Sequence, residues 1–134
     1  QTATTLTVAQ SGITVFWTHG ATHNITLPAA KSGMNFKIIL TVGSAHAQNI
    51  AAASGDGFYG KVYVVKSGAS DKNATQTVVK ASATDYIKLH NGTTTLGGNA
   101  GDVIDLVCLT DGFWVVDARL SSTGNPGSTA VLAD

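Results

Sequence analysis

Short runs in which apolar and polar residues alternate recur along the whole chain, with turn residues between them. Alternation with a period of two is typical of a β-strand with one buried face. The run at 48–53 holds three alanines and fits a strand or a helical turn. No segment has the period of an amphipathic helix. The alternating runs predict strands at 4–9, 13–17, 24–27, 35–42, 58–66, 75–81, 85–90, 103–110 and 113–120.

Two glycines indicate particular backbone features. Asp111 and Gly112 separate two apolar runs, and Asp-Gly in that position predicts a hairpin because both central residues of a type I′ turn need positive φ. Gly60 interrupts the run at 58–66, which predicts a β-bulge or a close backbone approach.

The pattern as a whole predicts an all-β protein with about nine or ten short strands. Regular strand spacing favours one antiparallel domain, built as a β-sandwich, a jelly roll or a small barrel, and local patterning leaves these three open. We expect the domain to span residues 1–120, with an N-terminal arm at about 1–10. Residues 121–134 lose the alternation and predict an extended C-terminal arm.

Charge and composition exclude several classes of protein. The chain has 134 residues, with eight basic and eight acidic side chains, and 12% of its residues are charged. A neutral balance without basic clusters argues against a nucleic-acid partner. No run approaches the roughly 20 apolar residues of a membrane span, and we expect no signal peptide in the first residues. The absence of Glu agrees with a chain that forms almost no helix.

Two pairs of residues have spacings that weakly resemble metal-binding or catalytic patterns. His19 and His23 lie four apart, which on a helix would present both rings to one metal ion, but Gly20 and the strand context argue against a helix. Asp102 and Asp105 could form a carboxylate pair, yet each is more simply a turn or surface residue. We therefore expect no metal, no cofactor and no catalytic residue. A small hydrolase using Asp or His remains a minor alternative.

Two further residues have ordinary structural interpretations. Cys108 lies within an apolar run and is expected to be a buried small side chain rather than a nucleophile. Asp56, in Gly-Asp-Gly, resembles only a fragment of a calcium-binding loop.

Three pairs of adjacent aromatic residues predict rings outside the core. Neighbours on a strand point to opposite faces, so each of the pairs at 16–17, 58–59 and 113–114 directs one ring inward and one outward. Aromatic residues are enriched at protein interfaces, which favours a subunit interface for the outward rings. A sugar-stacking platform around Trp17 or Trp114, with the polar loops at 18–24 and 91–101, is the alternative.

Three segments together resemble a known group of proteins. Residues 23–42 read HNITLPAAKSGMNFKIILTV, residues 54–66 read SGDGFYGKVYVVK and residues 101–124 read GDVIDLVCLTDGFWVVDARLSSTG. This order resembles small β-rich virion proteins of tailed bacteriophages, especially those of cyanobacterial and other aquatic phages. The resemblance spans residues 23–124. It departs from the family at Phe58-Tyr59-Gly60, where Ile-x-Gly is usual, and in the alanine-rich segment at 45–53.

The resemblance implies a non-enzymatic capsid decoration, or cement, protein on the outer capsid surface. Such proteins form homotrimers that bridge the major capsid protein, and similar modules occur in tail fibres, which gives the alternative of a receptor- or carbohydrate-binding role. The terminal arms could then pair with a neighbouring subunit. The expected subunit or capsid interface consists of Thr4, Leu6, Val8, Trp17, Tyr59, Trp114, Val131 and Leu132.

Overall fold

The computed structural model describes residues 3–43, 46–66, 74–78, 86–89, 96–123 and 131–133. These residues form strands and one 3-10 turn at Val8–Gln10, and none of them belongs to a helix that could span a membrane. The strands are β1 (Ala3–Thr5), β2 (Thr14–Trp17), β3 (His23–Thr26), β4 (Asn35–Leu40), β5 (Gln48–Ala51), β6 (Gly57–Lys66), β7 (Ala74–Val78), β8 (Tyr86–Leu89), β9 (Val103–Thr110), β10 (Phe113–Ser122) and β11 (Leu132–Ala133).

The strands form two sheets, which confirms the all-β class. Sheet A has the order β1-β3-β5-β8-β11, and sheet B has the order β2-β4-β9-β10-β6-β7. The expectation of antiparallel sheets is wrong, because both sheets are mixed: β1–β3, β3–β5, β2–β4 and β6–β10 pair in parallel. Parallel pairs arise because β1 to β6 alternate between the sheets, so the chain returns to each sheet in the same direction. Within the described residues neither sheet closes into a barrel.

A hairpin is inserted into sheet B between two strands that precede it by many residues. Strands β9 and β10 pair antiparallel around Asp111 and Gly112, which confirms the hairpin expected from the sequence. Strand β9 pairs antiparallel with β4, and β10 pairs in parallel with β6 from Phe113 opposite Gly57 to Ser122 opposite Lys66. The hairpin therefore joins β4 to β6 and gives sheet B its centre.

One hydrophobic core takes side chains from both sheets. In sheet A, Ile25, Ile50 and Ile87 lie side by side in register across β3, β5 and β8, and all three are buried. In sheet B, Phe36 and Trp114 are buried with ring centroids 5.7 Å apart. Burial of each such side chain contributes about 1.5–3 kcal/mol, so this core is the main source of stability.

Both described chain ends pair with sheet A of the same molecule. Strand β1 lies parallel to β3, and Leu6 is buried while its N–H donates to the carbonyl of Thr26. The strand expected at 4–9 therefore ends early, and Val8–Gln10 forms the 3-10 turn instead. At the other end β11 pairs with β8, and Val131 is buried. The described parts of the expected arms thus lie on the chain's own sheet.

The tip of the inserted hairpin is tied to the loop before β4. Asp111 accepts hydrogen bonds from the N–H of Ser32 at 2.8 Å and from the ammonium of Lys31 at 2.9 Å. The N–H of Gly112 donates to the carbonyl of Ala30 at 3.0 Å. Asp56, just before β6, accepts from the N–H of Ala30 at 2.6 Å, so the same loop also holds the start of β6.

Gly60 provides a test of the ladder between β6 and β10. Its φ is +134°, and a Cβ there would come within 3.0 Å of three backbone atoms of Val116. We expect Gly60→Ala to lower the free energy of unfolding by about 3 kcal/mol, measured by urea denaturation, because the strands would have to separate. Gly33→Ala is the control: its φ is +91° but an added Cβ meets no atom within 4 Å, so the loss should stay near about 1 kcal/mol. Equal losses would contradict this account.

The tie at Asp111 predicts a pH dependence. The Ser32 N–H and the Lys31 ammonium lower the pKa of Asp111 below its ordinary value. Because the pKa is lower in the folded than in the unfolded chain, the carboxylate stabilises the fold above the unfolded value of about 3.9 and ceases to do so as pH falls through the folded value. We expect the free energy of unfolding of Asp111→Asn to fall less steeply than that of the wild type as the pH is lowered from neutral to about 2. Urea denaturation at each pH measures this free energy. If the free energy of unfolding decreases equally with pH in the variant and the wild type, the hydrogen bonds of Asp111 do not stabilise the fold as described.

Candidate interaction surface

The two faces of sheet B differ in exposure. Alternate side chains of its five strands with described side chains point into the core, and the intervening ones are exposed or half-buried. We call these intervening residues the outer face of sheet B. The face consists of every second residue from Thr14 in β2, Asn35 in β4, Val103 in β9, Phe113 in β10 and Tyr59 in β6.

A row of four charged residues crosses the middle of this face. The strand register places Lys37 beside Asp105, Asp105 beside Asp117, and Asp117 beside Lys61. Lys37 and Asp105 form an ion pair at 2.8 Å. Asp105 and Asp117 are directly opposite, where like charges repel. We call these four residues the charged row; its formal charge sums to zero.

Mostly apolar rows lie on either side of the charged row. On the side of the hairpin turn the register places Asn35, Val107, Val115 and Tyr59 in one line. On the opposite side the next line consists of Ile39, Val103, Arg119 and Tyr63, which we call the arginine row.

Phe16 extends the arginine row at the edge strand. It lies opposite Ile39, and 63% of its side-chain surface is exposed. An exposed aromatic ring continuous with an apolar row is typical of surfaces that contact another macromolecule.

A shallow recess lies at the junction of β6 and β10. It has a volume of about 390 Å³ and is lined by Tyr63, Val65, Asp117 and Arg119. Among the described residues, neither Asp117 nor Arg119 forms an ion pair or a side-chain hydrogen bond. The recess therefore combines an aromatic ring with one charge of each sign, both available to a ligand or partner.

The aromatic pairs divide between the faces as expected, but two of the rings chosen as outward point inward. Trp17 and Trp114 are buried at 2% and 0% exposure, whereas Tyr59 is half-buried on the outer face. The outward members of the other two pairs are Phe16 and Phe113. The indole rings are part of the hydrophobic core, so Trp17 and Trp114 cannot form a sugar-stacking platform in this fold.

The remaining residues of the expected interface are scattered. Thr4 is half-buried and its hydroxyl hydrogen-bonds His23, while Leu6 and Val131 are in the core. Val8 is exposed at 58%, on the 3-10 turn. The side chain of Leu132 lies outside the described residues. The structure therefore does not gather these residues into one surface.

His19 and His23 do meet, but not as metal ligands. Their rings stack in parallel with centroids 4.0 Å apart, and His23 is buried against the edge of Trp17. The lone pair of an imidazole nitrogen lies in the plane of its ring, and because the two ring planes are nearly parallel, the lone pairs do not converge on one ion. No cluster of three metal-ligating side chains occurs within the described residues.

The two aspartates of the candidate carboxylate pair lie in different environments. Asp102 is buried and accepts hydrogen bonds from the N–H groups of Gly98, Asn99 and Ser121, and from the Ser121 hydroxyl. Burial raises the pKa of Asp102 above its ordinary value, while these hydrogen bonds oppose the rise. Asp105 lies on the outer face with Lys37. Asp102 therefore anchors the loop at 96–102 to β10 and does not pair with Asp105.

Cys108 is buried, as the sequence predicts. Its thiol donates to the carbonyl of Thr110, and burial raises the pKa of the thiol above its ordinary value. A raised pKa and a buried sulfur are the opposite of what a nucleophilic cysteine needs.

Asp102→Asn tests the anchoring role. The amide would present N–H donors to a site in which all four partners already donate, so we expect a loss of about 3 kcal/mol in the free energy of unfolding. Asp105→Asn, which removes a half-exposed ion pair, should cost less than about 1 kcal/mol. Urea denaturation of both variants makes the comparison, and similar losses would contradict the anchoring role.

Comparison with known proteins adds no further constraint on this surface. No family model, no curated protein and no solved structure matches the chain. The function proposed below therefore depends on the residues, on the geometry of the outer face of sheet B and on the resemblance seen in the sequence.

Proposed function

We propose that this chain is a non-enzymatic virion protein of a tailed phage, a capsid decoration protein located on the outer capsid surface. Its partners in this proposal are the major capsid protein and further copies of itself, which form a homotrimer that stabilises contacts between capsomers. Neither nucleic acid nor membrane is a partner. The observation that carries the proposal is the outer face of sheet B, a broad and weakly charged surface in a chain whose segments resemble such proteins.

The composition of the outer face supports a role in binding protein rather than substrate. Exposed Phe16 and Leu109 and half-buried Tyr59 provide apolar contact area, and the charged row sums to zero. Apolar patches between polar residues are typical of protein interaction sites. The residues that first suggested chemistry have structural roles instead: Asp102 anchors a loop and Cys108 fills the core.

We further propose that the two sheets pack face to face as a β-sandwich. Both sheets contribute to one core, as in aligned sheet packing, where inner side chains interdigitate over a spacing of about 10 Å. This arrangement would leave the outer face of sheet B open to the solvent on one side of the molecule. A rigid sheet would then present its contact residues with little loss of conformational entropy on binding.

Binding to capsids tests the proposed function. Purified protein added to expanded heads that lack it should co-sediment with them at a stoichiometry fixed by the number of capsomers, and it should raise the temperature at which the heads release DNA. Phe16→Asp should weaken co-sedimentation about tenfold or more by placing a charge in the apolar row. Thr5→Asp, at an exposed position on sheet A, is the control. Absence of binding to heads by the wild-type protein would refute the proposal.

A receptor- or carbohydrate-binding module of a tail fibre is the second candidate. The observation that favours it is the recess lined by Tyr63, Val65, Asp117 and Arg119, because sugars bind where an aromatic ring stacks on the sugar face and polar groups reach its hydroxyls. Binding on a glycan array that Tyr63→Ala abolishes, with the protein located on tails, would establish this function in place of the first.

A further inference from the structure

Two charged side chains on β10 carry an inference about self-association. Asp117 and Arg119 are exposed, lie two residues apart on the outer face of sheet B, and have no ion-pair partner among the described residues. They differ in sign and are separated along the strand by about 6.6 Å. A surface that carries two unpaired charges of opposite sign is complementary in charge to a second copy of itself rotated by 180°.

A two-fold axis between two copies of the chain would bring these opposite charges together. The axis lies in the plane of the outer face, perpendicular to β10, and passes between Asp117 and Arg119. Rotation about it places a second copy face to face and reverses its strand direction. Asp117 of each copy then lies over Arg119 of the other, which forms two equivalent ion pairs. Such an isologous contact, with the same patch on both copies, is the commonest in homo-oligomers.

We propose that the outer face of sheet B is a contact between two copies of this chain, related by this two-fold axis and held by reciprocal Asp117–Arg119 ion pairs. The neighbouring residues of β6 agree with the arrangement. Lys61, beside Asp117, falls over Tyr63, beside Arg119, which places an ammonium group on an aromatic ring. Tyr59 falls over Val65 in the same way.

The charge pattern favours this orientation over a face-to-face contact about an axis that runs along β10. An axis parallel to β10 would place Asp117 over Asp117 and Arg119 over Arg119, so that like charges meet without solvent between them. Juxtaposed like charges disfavour an interface strongly. The perpendicular axis avoids both clashes.

The size of the face predicts a weak contact. Five strands about 4.8 Å apart, crossed over roughly 20 Å of their length, cover about 480 Å² per copy and about 1,000 Å² in total. Stable interfaces bury about 1,200–2,000 Å², so the pair should form reversibly and depend on protein concentration. On a surface that holds many copies side by side, such a contact would be strengthened by multivalency.

The self-contact and a contact with a capsomer would occupy the same face, so one copy makes only one of them at a time, and pairing in solution is independent of binding to heads. A three-fold ring closes through two different patches, whereas this face binds itself, so the two kinds of contact are compatible. If the chain forms trimers in solution, the face would join two trimers; if it is otherwise monomeric, the face would form a dimer.

Charge reversal tests the inference. D117R and R119D each place like charges opposite one another, so each variant alone should associate about tenfold or more weakly than the wild type in sedimentation velocity over a concentration series. The T5R variant, with a new charge at an exposed position on sheet A, should associate as the wild type does. Wild-type association should also weaken as salt is raised.

Mixing the two variants gives the decisive result. An equimolar mixture of D117R and R119D restores opposite charges across the axis, so hetero-pairs should form, and native mass spectrometry identifies them because the variants differ in mass. The double variant D117R/R119D should associate by itself. Association in the equimolar mixture also shows that the two single variants are folded.

The inference is overturned if the wild type does not pair at any concentration, or if the mixture associates no better than its components. These outcomes are distinct from failure of the capsid role, which is judged by co-sedimentation with heads. A protein that pairs but ignores capsids would retain this contact and lose the proposed function.

Discussion

The inserted hairpin is the constraint on which the rest of the molecule depends. Strands β9 and β10 occupy the gap between β4 and β6, so the pair β2-β4 is joined to the pair β6-β7 within sheet B through this hairpin. The parallel ladder from Phe113 to Ser122 requires close backbone contact, which only glycine permits at position 60. Asp111 in the hairpin turn is hydrogen-bonded to the loop before β4, and the same loop is hydrogen-bonded to Asp56 before β6. Register and strand order in sheet B are therefore fixed together.

The sequence predicts the strands well because their signal is local. Most alternating runs became strands, and Asp111–Gly112 formed the expected hairpin turn. The sequence does not predict strand order or direction. A half-buried strand shows the same alternation whether its partner is parallel or antiparallel, and that partner is distant in sequence. Antiparallel neighbours result when sequential strands are adjacent in a sheet, whereas β1 to β6 alternate between the two sheets.

The sequence contains the signal for the outer face of sheet B, although Trp17 and Trp114 of the expected interface are buried and only Tyr59 lies on this face. Asp117 and Arg119 share a strand face with Phe113, so they mark that face as outward and Trp114 as inward. By the same argument, Lys61 places Tyr59 outward and Phe58 inward. A large indole favours neither side by itself; the charged residues three and five positions after Trp114 decide. Alternation shows which residues of one strand share a face, but not which residues of different strands are neighbours. The strand register gives these neighbours and aligns charged residues of four strands in one row.

The late position of the hairpin in the chain has a consequence for synthesis. While a nascent chain emerges from the ribosome, β4 and β6 are made long before residues 103–122, so each would expose an unpaired edge until the last quarter of the chain appears. Exposed edges are templates for aggregation, and long-range pairings close slowly. Sheet A also receives β11 last. This topology favours folding only after β9, β10 and β11 have been synthesised, and it makes loss of these strands more harmful than their small size suggests.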